Sequence, residues 1–179
     1  MVSEGDHQAY AQLHKILYPS LYYYLFGMIK EEQIVDDLLQ DLFVKLWEKR
    51  VGIGSVNNVK AYFFTAARSM AMNHFRLIKS RSLKLENFEQ PEIHFSAEEI
   101  MVVDEKNNQL KAIMANALNT LPARQREVVY LRFYEELEYQ KIAEITGIQY
   151  QSVVNHVFRA LQTLRAEFAR LNLENVLVA

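Results

Sequence analysis

The sequence predicts an all-α protein of two small helical domains joined by a linker, with a helix-turn-helix in the second domain. Three observations lead there. The 179 residues include five glycines and three prolines, and no stretch alternates apolar and polar residues between hairpin turns as strands do. Tyr139 to Arg165, YQKIAEITGIQYQSVVNHVFRALQTLR, reads as a short helix, a tight turn and a longer helix. Helical periodicity fades from Arg81 to about Glu99, where Pro91 and scattered charges mark a linker. The domains are therefore expected at residues 1–82 and 100–179, with 83–99 between them.

Composition narrows the function classes. Half the residues are apolar, enough for one moderate core or two small ones. The absence of cysteine removes disulfides, thiolate catalysis and cysteine-ligated zinc together. No apolar run reaches membrane-spanning length, and no basic-then-apolar leader opens the chain, so a soluble cytoplasmic protein is expected. The formal net charge of −2 disguises an uneven distribution. Glu31, Glu32, Asp36, Asp37, Asp41 and Glu48 crowd one early segment, whereas Lys60 to Leu85 holds no acidic residue and six basic ones. The first segment suits a basic protein surface and the second suits phosphates, although charges of this kind also simply solvate helix faces.

Taken in order, Asp6 to Met28 is an aromatic-rich helix or helix pair. Tyr10, Leu13, Ile16, Leu17, Leu21, Tyr24, Leu25 and Met28 keep helical spacing, and Pro19 is expected to kink or divide it. The run Tyr22–Tyr23–Tyr24 suits core packing better than base stacking. Glu31 to Arg50 is an amphipathic helix whose acidic start and basic end both complement the helix dipole. Ile34, Val35, Leu38, Leu39, Leu42, Leu46 and Trp47 fill its apolar face, while Asp37, Gln40, Asp41 and Val44 share another at i, i+3, i+4 and i+7. That second face suits a protein partner. Its carboxylates lack a companion histidine or metal-ligand spacing, so acid–base catalysis and a metal site are not expected.

Gly52 to Asn58 is a connector, and Val59 to about Ser80 is a basic helix. Tyr62, Phe63, Ala66, Ala67, Met70 and Phe75 are placed to pack, leaving Arg68, Ser69, Asn73, Arg76 and Lys79 polar. Basic and aromatic residues interleaved on a helix fit single-stranded or melted DNA. After the linker, Ile100 to Leu118 forms another amphipathic helix, and a helix opening at Leu121–Pro122 runs through Val128, Val129, Leu131, Arg132 and Phe133 to a break at Glu135–Glu136.

In the helix-turn-helix, Ile142, Ala143 and Ile145 give the first helix an apolar stripe, and Gly147 supplies the left-handed turn that ends it. Val153, Val154, Val157, Phe158, Leu161 and Leu164 are expected to bury one face of the second helix. Gln151, Ser152, Asn155, His156 and Arg159 remain polar, with the chemistry that a recognition helix needs in a major groove. A plain helical hairpin would share the turn but has no use for that polar cluster. Phe168, Leu171, Leu173, Val176 and Leu177 extend an apolar tail that covers the core or offers a partner surface.

LPARQREVVYLRFYEELEYQKIAEITGIQYQSVVNHVFRALQTLR resembles the promoter −35-binding domain of bacterial sigma factors of the extracytoplasmic-function (ECF) type. Regulators of the LuxR kind have a similar helix-turn-helix, so this segment alone leaves open a free-standing regulator that binds an operator as a dimer. DDLLQDLFVKLWE resembles the helix by which sigma factors grip the clamp coiled coil of the RNA polymerase largest subunit, and LuxR-type regulators lack it. The resemblance spans about Asp6 to Phe168. It implies that Asp37, Gln40 and Asp41 contact core RNA polymerase and that Ser69, Asn73, Arg76 and Lys79 meet the unpaired −10 element. Ser69 stands where these factors often carry asparagine. It implies further that Gln151, Ser152, Asn155, His156 and Arg159 meet the −35 promoter DNA. A sigma factor is not itself an enzyme and needs no cofactor or metal. The family also implies an anti-sigma factor partner, often membrane-anchored, without membrane insertion of the sigma factor.

Overall fold

The computed structural model describes residues 5–53, 56–81, 92–96 and 108–170. Among these, all regular structure is helical: α1 His7–Ile29, α2 Glu32–Glu48, α3 Arg50–Ile53, α4 Val59–Arg81, α5 Asn108–Asn119, α6 Ala123–Val129, a π-helical turn Tyr130–Tyr134, α7 Tyr139–Thr146 and α8 Tyr150–Arg170. The chain forms two compact units, built mainly on residues 5–81 and on residues 92–143 with 147–170.

In the first unit α1, α2 and α4 pack against one another. Asp6 caps α1, its carboxylate accepting from the Gln8 and Ala9 amides at 2.9 and 3.0 Å. Those otherwise orphaned donors favour the ionised form, and the Ala9 bond leads in holding the Asp6 pKa below its ordinary value. The helix runs through Pro19 as one element of 23 residues and is not divided. An interior proline costs roughly 3 kcal/mol. Burial of Leu17, Leu21, Tyr24, Leu25 and Met28 along one face offsets it, since each large side chain returns about 1.5–3 kcal/mol. Ile16, expected on that face, is 70% exposed. Lys30 ends α1 at φ 62, its amide donating to the Phe26 carbonyl, and α2 begins two residues later.

The buried face of α2 is Val35, Leu39, Leu42, Phe43 and Leu46, so the expected stripe holds with Ile34, Leu38 and Trp47 at its half-exposed margins. Phe63, Phe64, Ala67 and Ala71 of α4 complete the core, with Tyr24 and Phe64 5.1 Å apart and Phe43 and Phe63 5.3 Å apart.

The second unit centres on α8, against which α5 and α6 pack. Leu118, Leu121, Val128, Val129, Leu131, Leu137 and Ile142 surround Val153, Val157, Ala160, Leu164 and Phe168. The α8 stripe therefore runs 153, 157, 160, 164, 168, and Phe158, expected inside, is 61% exposed. Phe133 is likewise turned out, at 49% exposure. The π-helical turn explains this: the Glu135 amide bonds back to the Tyr130 carbonyl five residues earlier, and the wider turn shifts the phase of the stripe.

The contact boundary between the units falls at Pro91–Glu92, inside the stretch read from sequence as linker. Ile93 and Phe95 are buried, and Phe95 sits 6.0 Å from Tyr130 and 5.3 Å from Tyr134. The Asn119 side chain donates to the Phe95 carbonyl and accepts from its amide, both at 2.9 Å. Buried Arg126 pairs with Glu92 and approaches His94 Nδ1 at 3.4 Å. The rest of the linker, Ile100 and the tail from Leu171 onward lie outside the described residues.

Candidate functional site

Three polar helix faces are candidates, two in the first unit and one in the second. On α2, Asp37, Gln40, Asp41 and Val44 are all exposed, Val44 by 52%. Packing Val35, Leu39, Leu42 and Leu46 inward turns these four outward as one patch. The Asp41 carboxylate meets Lys45 Nζ at 3.3 Å, one turn on, with both side chains more than half exposed. Such a pair is worth a few tenths of a kcal/mol, so a partner's cation displaces it at little cost.

On α4, Ser69, Asn73, Arg76 and Lys79 are exposed. Arg76 donates to Asn73 Oδ1 at 2.9 Å, which aligns the guanidinium with the amide. Ser69, Asn73 and Arg76 share one face, and Lys79 stands about a quarter-turn away at ~100° per residue. Tyr62, read from sequence as a packing residue, lies on the same face two turns before Ser69 and is 37% exposed. Its neighbours Phe63 and Phe64 take the core positions instead. His74 is half-buried, edge-on to Phe75 at 5.7 Å.

On α8, Gln151, Asn155 and Arg159 are exposed, while Ser152 and His156 are half-buried. Gly147 at φ 71 donates to the Ala143 carbonyl at 2.9 Å and ends α7, so α8 restarts at Tyr150 with its polar residues in the first turns. Gln151 Nε2 reaches Asn155 Oδ1 at 3.4 Å. Burial, then the charges of Arg124 and Arg159, lower the His156 pKa below its ordinary value. Its imidazole is therefore neutral at pH 7, able both to donate and to accept. Phe158, 61% exposed, lies two turns beyond Gln151 on nearly the same line of the helix.

Two family models match this chain: Sigma-70 region 2 over residues 13–81, and Sigma-70 region 4 over residues 111–164. Each covers one unit and its candidate faces. Among similar proteins, the RNA polymerase sigma factor SigV of Bacillus subtilis is 24% identical over 148 residues, 83% of this chain and 84% of its own length. ECF RNA polymerase sigma factor SigM of the same organism is 23% identical over 165 residues, 89% and 94% of the two chains. The chain belongs to the ECF sigma factors.

This ECF sigma factor thus lends promoter specificity to RNA polymerase, and its region 2 half is what a free-standing helix-turn-helix regulator lacks. Its fold agrees with solved relatives. The sigma factor RpoE, in complex with the anti-sigma factor NepR from Bartonella quintana, superposes with a TM-score of 0.67 at 22% identity, over 90% of this chain and 98% of that one. CnrH, in complex with the cytosolic domain of CnrY, gives 0.60 at 20% identity over 94% and 93%. No described helix of the ECF sigma factor is long and apolar enough to cross a membrane, and the described residues hold no cluster of potential metal ligands.

Proposed function

We propose that the three faces divide promoter recognition between them. Asp37, Gln40 and Asp41 grip a basic segment of core RNA polymerase, with Val44 as the apolar contact beside them. On α4, Arg76 and Lys79 neutralise phosphates of the melted −10 element, Ser69 and Asn73 hydrogen-bond its bases, and the Tyr62 ring stacks on one of them. On α8, Gln151, Ser152, Asn155 and neutral His156 read base edges of the −35 element, Arg159 holds a phosphate, and Phe158 meets a thymine methyl. The chain carries out no chemistry of its own and needs no cofactor. Acting with polymerase on the chromosome, it works in the cytoplasm.

The observation that carries this reading is the acidic, outward α2 face. It precedes a basic α4 face in one unit, and a helix-turn-helix follows in the other. A dimeric operator-binding regulator has no use for the first two. An anti-sigma factor, by likeness to the NepR and CnrY complexes of related folds, holds the factor inactive until a signal releases it. Membrane anchoring of that partner is part of the proposal.

Transcription from a candidate promoter by core polymerase, with and without the protein, tests the reading. Promoter-specific transcripts are expected only when the protein is present, and the anti-sigma factor should suppress them. A chain that binds a palindromic operator as a dimer, and leaves core polymerase unaffected, would overturn it.

A further inference from the structure

The two reading units are joined by less free chain than the sequence suggests. Helix α4 ends at Arg81 and α5 begins at Asn108, which makes a connection of residues 82–107. Glu92–Ser96 divides it, because this strap is fixed to the second unit. Ile93 and Phe95 are buried, and the Phe95 ring packs on Tyr130 and Tyr134. Asn119 holds the Phe95 backbone at both its amide and its carbonyl, as a neighbouring strand would. At the other end Glu92 pairs with Arg126, whose side chain is 6% exposed and whose Nε has no acceptor among the described residues. Lifting the strap would leave that guanidinium buried without its counter-charge and put two large apolar side chains in water.

A loop that leaves and rejoins one body adds nothing to its reach, so residues 97–107 do not count towards the distance between the units. The tether is residues 82–91. Its eleven Cα steps from Arg81 to Glu92 span at most about 40 Å, at ~3.6 Å each. Without the strap, the twenty-seven steps from Arg81 to Asn108 would span about 97 Å. The difference matters on DNA. The −10 and −35 elements, about 25 positions apart, are separated by about 85 Å along a straight duplex at ~3.4 Å per base pair. Asn73 stands eight residues before Arg81, about 12 Å along α4. A compact unit of ~80 residues is about 30 Å across. With the strap down, the fully stretched tether therefore reaches about as far as the elements lie apart, and each further base pair asks for ~3.4 Å that it lacks. With the strap up, roughly 55 Å of slack would make the spacing immaterial.

We propose that the docked strap makes residues 82–91 the ruler between the −10 and −35 elements, with Phe95, Asn119 and Arg126 as positioning residues that fix its second end. The proposal rests on the assignment of the −10 element to α4 and the −35 element to α8, and adds to it a limit on spacing. A short tether also raises the local concentration of the second unit at its element once the first is engaged. That concentration falls with about the −3/2 power of tether length, so doubling the tether lowers it about threefold. Length added ahead of the strap changes both reach and concentration, and length added behind it changes neither.

The test compares two full-length chains, each with about ten inserted Gly and Ser residues, a flexible addition as long as the tether itself. One insertion lies ahead of the strap, between Leu85 and Glu86, and the other behind it, between Asp104 and Glu105. Added loop length costs little stability, so both chains should melt like the unchanged protein. Each is assembled with core polymerase and assayed for transcription on promoters whose −10 to −35 spacing varies by single base pairs. The first insertion should lower transcripts about threefold at the preferred spacing under sub-saturating polymerase, and extend activity to longer spacings. The second should reproduce the unchanged profile. A profile altered by the second insertion overturns the proposal, as does one left unaltered by the first. Should the unchanged chain ignore replacement of either promoter element, the assignment of α4 and α8 fails instead.

Discussion

Removing the acidic face should separate folding from polymerase binding. Asp37, Gln40 and Asp41 are exposed, and their one shown ion pair is Asp41 with Lys45 at 3.3 Å. A solvated i,i+4 pair contributes about 0.3–0.5 kcal/mol, and exposed substitutions generally move stability by about 0.5 kcal/mol or less. Alanine also favours helix more than aspartate does, by a few tenths of a kcal/mol at each site. The triple alanine variant should therefore melt within a few degrees of the unchanged protein. Binding responds differently. Each carboxylate that meets a desolvated cation of the polymerase leaves that cation unpaired when removed, which costs 2 kcal/mol or more. Two such losses, with the amide, exceed about 4 kcal/mol, or roughly a thousandfold in affinity. Circular dichroism melts and anisotropy titrations with core polymerase give the two numbers side by side. A variant that folds normally and still binds core with unchanged affinity would refute the reasoning.

Three further outcomes are expected. Phe95→Ala removes a ring that is 4% exposed and should destabilise the second unit by about 3–5 kcal/mol, measured by chemical denaturation; a loss below about 1 kcal/mol would mean that Glu92–Ser96 is not part of that core. Arg159→Ala should weaken −35 binding nearly uniformly across sequences and lower the salt slope by about one, whereas Gln151→Ala or Asn155→Ala should cost about 1–3 kcal/mol against the preferred base only; affinities over a promoter panel at several salt concentrations separate the two. His156, with its pKa lowered in the fold, should titrate by NMR with a midpoint below the 6.5 of an unperturbed histidine. Because the unfolded chain then binds the proton more readily, stability should fall as pH drops through 6.5, and a midpoint at or above 6.5 would contradict the packing around this ring.

What the sequence showed, and what it hid, follows from how much of the structure is periodic. The α2 face, the Gly147 turn and the polar start of α8 are all local patterns of one helix, and spacing alone places them. Phe158 was hidden because α8 carries two overlapping apolar stripes, and the buried one runs through small Ala160 rather than the larger ring. A hydrophobicity pattern weights the phenylalanine more heavily, but the face that α8 buries is the one through Val153, Val157, Ala160 and Leu164. The π-helical turn at Tyr130–Tyr134 broke the period at Phe133 without any glycine or proline to announce it.

Glu92–Ser96 was hidden for the opposite reason. An extended segment held by Asn119, Arg126 and two buried side chains has no period at all, so it resembled a tether. The α1–α2 seam combines both limits. Tyr10 and Trp47 keep helical spacing with the apolar residues of α1 and α2, which reads as core, yet both are only half-buried where the two helices meet. Residues at such margins are assigned to packing by periodicity although the fold leaves them partly exposed. In this chain Tyr62 and Phe158 are aromatic residues of that kind. Aromatic side chains are apolar enough to be counted with a core and amphipathic enough to serve a partner, so helices of this family are where a sequence-only division into inside and outside most readily goes astray.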